Sequence, residues 1–186
     1  LIRQVAGIER AQLRETFKAV CDAREAGRKF IHRACDLPAG SSSPMKWVNP
    51  PVAWMLHAGA PLLLDANVHI PGMHDGDSTR IALEAYPGMV ARRITRASYK
   101  NDTPSLQTPE RRAARLTLLQ ALEAGSYPLQ IRLDTSDFGD QLLADGSGDL
   151  IDAVLCALLA GWAWQRREQQ FGLPPHDGLE GWIVGA

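Results

Sequence analysis

The chain has 186 residues, 45% of them apolar and 22% charged, with a formal net charge of -1. That is enough for one well-cored domain, its ordinary mix excludes a fibrous or disordered chain, and its balanced charge argues against a strongly basic nucleic-acid binder while allowing a local basic patch. Cys21, Cys35 and Cys156 show no C-x-x-C spacing and fit a reducing cytoplasm, and the longest apolar stretch, 153–164, falls short of the ~20 residues a membrane-spanning helix needs.

Residues 8–26 place Ile8, Leu13, Phe17, Val20 and Cys21 at helical spacing, which predicts an amphipathic helix ended by Gly27. The Pro-, Gly- and Ser-rich stretch 36–52 predicts loop. Pro51 suits the first turn of a helix through 65, which Pro61 is expected to kink or split. After a loop at 70–79, Ile81, Leu83 and Ala85 alternate with Arg80, Ala82, Glu84 and Tyr86, predicting a half-buried strand over 80–86. Pro87 stops that strand, a short helix over 88–97 carries Arg92, Arg93 and Arg96, and 98–107 reads as polar loop. Thr108 then caps a helix begun by Pro109, with Ala113, Leu116, Leu119 and Leu122 as its apolar stripe. Residues 127–144 are ambiguous, with a short helix expected at 136–144. The last major element is a helix from 148 to about 170, ended by Gly172.

Asp149 and Asp152 stand at i and i+3 of that last helix, on one face with Cβ atoms ~5–6 Å apart. Two carboxylates so close repel each other unless a cation lies between them or one takes up a proton. Hard divalent cations such as Mg²⁺ and Mn²⁺ take oxygen ligands of this kind. The competing reading is structural: Ser147 or Asp149 caps the helix, and Asp152 favours the positive end of its dipole. Glu84 ends the predicted strand, either as part of a site or as an ion-pair partner of Arg80. The five histidines show no ligand spacing, and the Walker and G-x-G-x-x-G loops are absent. Ser41, Ser42 and Ser43 read as turn or phosphate-contacting hydroxyls. Arg92, Arg93, Arg96 and Lys100 form the densest basic group, either a solvated face or a patch that meets phosphate.

The strings "AGSSSPMKW", "NPPVAWMLHAGAPLLL", "LEAYPGMVARRI", "SYKND", "QTPERRAAR", "DGSGDLIDAVLCALLAGWAW" and "GLEGWI", in this order, resemble the family known as domain of unknown function number 429, predicted RNase H-like nucleases. The likeness runs from about residue 30 to 184. It implies an α/β fold with an RNase H-like mixed sheet flanked by helices, and an acidic site for Mg²⁺ or Mn²⁺. It implies Glu84, in "EAYP", and Asp149 and Asp152, in "GDLIDA", as catalytic and metal-binding carboxylates. Two metal ions would clamp a scissile phosphate, with Lys46, Arg93 and Lys100 as candidates for contact with it. The family pattern opens with a strand carrying a further aspartate, which nothing before residue 8 supplies. The expectation is therefore one RNase H-like domain over 1–186 that lacks its N-terminal strands. The implied function is metal-dependent hydrolysis of phosphodiesters in nucleic acid; the alternatives are a catalytically inactive RNase H-like module for binding or regulation, and hydrolysis of a small phosphate-containing metabolite.

Overall fold

The computed structural model describes residues 1–125 and 129–186. Its class is mixed α/β: about half the chain is helical, and the sheet among the described residues has two parallel strands. The chain divides into two compact units, Leu1–Glu84 with Leu173–Val184 and Ala186, and Ala85–Gly172 with Gly185.

The first unit holds α1 (Ile2–Ala6), α2 (Arg10–Asp22), α3 (Asp36–Ala39), α4 (Val52–Asp65), β1 (Val68–His69) and β2 (Asp77–Ile81). Helix α1 is too short to persist alone. It forms because Ile2 and Val5 bury against Ala60 of α4, with Leu56, Leu63, Ile70 and Met73 packed around them. Helix α2 stops at Asp22, short of Gly27, and α3 occupies part of the stretch expected to be loop. Helix α4 runs unbroken through Pro61, which removes one backbone donor without dividing the helix.

Strands β1 and β2 are joined by residues 70–76, a shorter link than the dozen or more residues parallel strands ordinarily need. The link closes on itself through an antiparallel bridge between Ile70 and His74. Its return is possible because a Cβ at Gly76 would lie 2.5 Å from the carbonyl oxygens of Asn67 and Val68, so only glycine fits. The expected strand over 80–86 is displaced: β2 covers Asp77–Ile81 and ends where the two-residue β1 offers no further partner. Glu84 lies beyond it, in an isolated parallel bridge to Ile183.

The second unit holds α5 (Pro87–Ile94), α6 (Pro109–Glu123), α7 (Gly139–Ala144) and α8 (Asp149–Gln165), with 3₁₀ segments at Pro104–Leu106 and Arg167–Gly172. Helices α5 and α6 both begin on proline, where a missing N–H costs no hydrogen bond. Thr108 precedes α6 as expected but makes no side-chain cap; its hydroxyl bonds Glu110 and holds that carboxyl below its ordinary pKa. The buried stripe of α6 is Ala114, Arg115, Leu118, Leu119 and Leu122, while Ala113 and Leu116 face solvent. Both stripes satisfy the helical period, and packing against α5 and α7 selects between them. Residues 127 and 128 of the ambiguous segment lie outside the described residues, and α7 starts at Gly139, later than expected.

Helix α8 packs against α5 and α7. Ile151, Leu155 and Leu159 are almost wholly buried, each contributing about 1.5–3 kcal/mol through loss of apolar surface to water. These contacts fix the orientation of the turn that carries Asp149 and Asp152. No helix among the described residues is long and apolar enough to cross a membrane.

Candidate functional site

The geometry around Asp152 begins with the segment before α6. Arg111 Nη1 donates to the Lys100 carbonyl at 2.7 Å, and Arg115 Nη1 to the Tyr99 carbonyl at 2.8 Å. The Asn101 N–H donates to the Gly146 carbonyl at 3.0 Å. Three consecutive residues are thus tied down by their backbones. Arg115 is itself buried and also donates through Nε to the Leu143 carbonyl at 3.0 Å; burial lowers its pKa, with Asp145 opposing.

The start of α8 is built on Gly148, in the left-handed conformation at φ 76° and ψ 12°. The Ser147 hydroxyl accepts the Asp149 amide at a long 3.4 Å, and the Asp149 side chain makes no cap. Asp145 does more, accepting the amide of Leu150 at 2.9 Å, a group that a helix start otherwise leaves open, and that of Ser147 at 3.1 Å in the turn before it. Burial pushes the Asp145 pKa up, but bonds from the Ser147 hydroxyl and from the amides of Leu150, Gly148 and Ser147 outweigh it and hold it below the usual carboxylate range. The Ser147 hydroxyl lies between Asp145, at 2.6 Å, and the exposed carboxylate of Asp149, at 3.0 Å.

Asp152 is gripped from both sides. The Tyr99 hydroxyl donates to Oδ1 and the Lys100 ammonium to Oδ2, each at 2.5 Å. The Asp152 side chain is 20% exposed and that of Lys100 40%. Burial, then the hydrogen bond and charge of Asp152, push the Tyr99 phenol far above its ordinary pKa, so it stays a proton donor. The stem of Lys100 lies on Gly148, where a Cβ would stand 2.6 Å from Lys100 Cβ and 3.2 Å from Tyr99 Cε2. The repulsion expected of two carboxylates one turn apart is thus answered by a cation from the chain itself.

Glu84 belongs to the first unit and pairs with Arg33, not Arg80. Arg33 reaches its two oxygens at 2.7 Å each and binds Asp36, which is fully buried, at 2.9 Å. The Glu84 hydrogen bond, against burial and aided by Asp36, raises the Arg33 pKa above its ordinary value. Arg80 instead donates to the Ala66 carbonyl at 2.9 Å. Lys46, also of the first unit, donates to the Asn49 carbonyl at 3.2 Å. In the second unit Arg93 donates to the Gly185 carbonyl at 2.9 Å, and Arg92 stacks on the Tyr86 ring at 5.2 Å. The Ser41 and Ser43 hydroxyls turn inward, to Asp36 and to the Ile31 carbonyl.

Of the residues singled out from sequence, the structure joins Lys100 to Asp152 directly, with Asp149 on the same helical turn. Sequence reading missed Tyr99, Arg111, Arg115 and Asp145. Its one available signal was the "SYK" string, an aromatic beside a lysine in an otherwise small and polar loop. Among the described residues no group of three or more His, Cys, Asp or Glu is gathered so as to hold a metal ion. Compared with known proteins, the chain matches no family model, no curated protein and no solved structure.

Proposed function

We propose that the chain is a metal-dependent phosphodiester hydrolase of the RNase H-like kind, acting on nucleic acid through the acidic start of α8. The observation that supports this most is the pair of carboxylates, Asp149 and Asp152, one turn apart at the start of α8, with Ile151 and Leu155 of that helix buried behind them. Mg²⁺ is ordinarily held by one or two carboxylates with waters and substrate phosphate, so the oxygen donors of Asp149 and Asp152 suit Mg²⁺ or Mn²⁺ in kind. Such an ion supplies Lewis acidity toward phosphate and a nucleophile at neutral pH. The chain's own part is positional. Tyr99, kept protonated, orients Asp152 by donating to Oδ1. Lys100 and Arg93 supply positive charge for a phosphate. Glu84 enters this reading only through the family resemblance.

The test is Mn²⁺-dependent cleavage of structured DNA and RNA by wild type and Asp152→Asn. The reading expects the variant to lose cleavage, and unchanged cleavage would remove Asp152 from it. A second reading, a module that binds but does not cleave, is favoured by a specific observation: Lys100 neutralises Asp152 and Arg33 neutralises Glu84 with no metal needed. Calorimetric titration with Mg²⁺ and Mn²⁺ separates the two, since only the first reading expects heat that depends on the carboxylates.

A further inference from the structure

We infer that the first unit carries a docking surface for single-stranded nucleic acid, made of the Phe30 and Trp47 rings and the basic side chains of Arg28, Lys29 and Lys46. The inference goes beyond the hydrolase reading, because the residues that carry it belong to the first unit and involve no metal.

Two segments outside the helices and strands supply these side chains, 28–31 after α2 and 46–48 before α4. They are fastened side by side. The Ser43 hydroxyl donates to the Ile31 carbonyl and accepts the Met45 amide at 3.2 Å. The Lys46 carbonyl accepts the Ala53 amide, at the start of α4, at 2.7 Å. The Phe30 and Trp47 rings then meet edge to face, with centroids 6.2 Å apart and planes at 68°. In such a pair each ring covers at most one face of the other, and Phe30 is 38% exposed. The next residue after each ring, Ile31 or Val48, is an exposed aliphatic. Apolar groups exposed in a cluster, rather than singly, mark interaction sites.

Charge selects the partner. Arg28 and Lys29 are exposed, and the Lys46 ammonium reaches only the Asn49 carbonyl, at 3.2 Å. Among the described residues none of the three lies within ion-pair distance of a carboxylate. No acidic residue occurs from 26 to 35 or from 37 to 64. A polyanion with flat apolar faces answers both features: in a nucleic-acid single strand the phosphates meet the cations and unpaired bases stack on the rings. A duplex covers its base faces with neighbouring pairs, so the rings favour the single strand. A membrane surface would attract the same cations, but attachment of that kind is ordinarily through the apolar face of an amphipathic helix, which neither segment is.

The experiment measures affinity of the whole chain in EDTA, by fluorescence anisotropy, for labelled oligothymidine and oligouridine of about 15 nucleotides, the upper end of the site a small domain covers. A duplex of equal length and vesicles of phosphatidylserine and phosphatidylcholine are the comparison ligands. Wild type, Trp47→Leu, Trp47→Tyr, Arg28→Gln and Lys29→Gln are tested, each checked for folding by circular dichroism. Trp47→Leu should weaken single-strand binding about 5- to 100-fold, the worth of stacking one base, and Trp47→Tyr should keep most of the affinity. In wild type the logarithm of affinity should fall with that of salt at a slope of about -2, and each glutamine variant should make it shallower by about 0.7. The inference is overturned if neither single strand binds, if duplex or vesicles bind as well as the single strands, or if the folded glutamine variants keep the wild-type slope. Cleavage is scored separately: a chain that cleaves with Mn²⁺ but fails here keeps the hydrolase reading without this surface, and one that binds here but never cleaves keeps the surface without the hydrolase.

Discussion

Alanine at position 148 tests the geometry on which the site depends. Gly148 has φ 76°, in the left-handed region, where a residue with a Cβ is destabilised by about 1–2 kcal/mol. The added methyl would stand 2.6 Å from Lys100 Cβ and 2.9 Å from Lys100 Cδ, closer than carbon atoms approach. The Cδ can swing away, but the Cβ is attached to a backbone tied down by Arg111 and Arg115. Forcing the methyl in should therefore cost a further ~1–3 kcal/mol, as overpacking does elsewhere. Gly148→Ala is expected to lose about 2–5 kcal/mol in urea unfolding, followed by circular dichroism and by tryptophan fluorescence, with Trp162 and Trp164 of α8 as reporters. Gly59→Ala in α4 is the control of opposite sign. Nothing lies within 4 Å of its added Cβ, and alanine in a helix interior should stabilise by about 0.5–1 kcal/mol. A Gly148→Ala protein within about 0.5 kcal/mol of wild type, the range of an ordinary surface change, would refute the packing of Lys100 on the start of α8.

Arg33→Met should destabilise the first unit by about 3–5 kcal/mol in the same assay, because it leaves the fully buried carboxylate of Asp36 with the Ser41 hydroxyl and the residue-33 amide but without the guanidinium that balances its charge. Adding Asp36→Asn should recover part of that loss, whereas Glu84→Gln, whose side chain is 43% exposed, should cost less than about 1 kcal/mol. Asp145→Asn bears on acid stability. The Asp145 pKa is depressed in the folded chain, so its contribution is present above the unfolded value of ~3.9 and is lost as pH falls through the folded one. Urea midpoints measured from about pH 2 to pH 7 should fall less steeply below about pH 4 in the variant, and parallel curves would count against the hydrogen bonding assigned to Asp145.

What sequence alone determined lies within a turn or two of the chain. Pro87 and Pro109 start α5 and α6 because proline's fixed φ and missing N–H suit a first turn, and the apolar run after Asp149 becomes α8. Asp149 and Asp152 share a face for the same local reason, the helical period. The tertiary structure decided everything that depends on a distant partner. Five residues at Ile2–Ala6 are helical only because α4 covers them. The buried face of α6 is one of two that the period allows, and β2 ends where β1 runs out. The charges show the same division: Glu84 finds Arg33 across 51 residues, and Asp152 finds Lys100 across 52. Periodicity and capping act between neighbours and so can be read along the chain. An ion pair closed over a long loop exists only once packing has met the entropy of closure, and that depends on the whole unit rather than on the residues that form the pair.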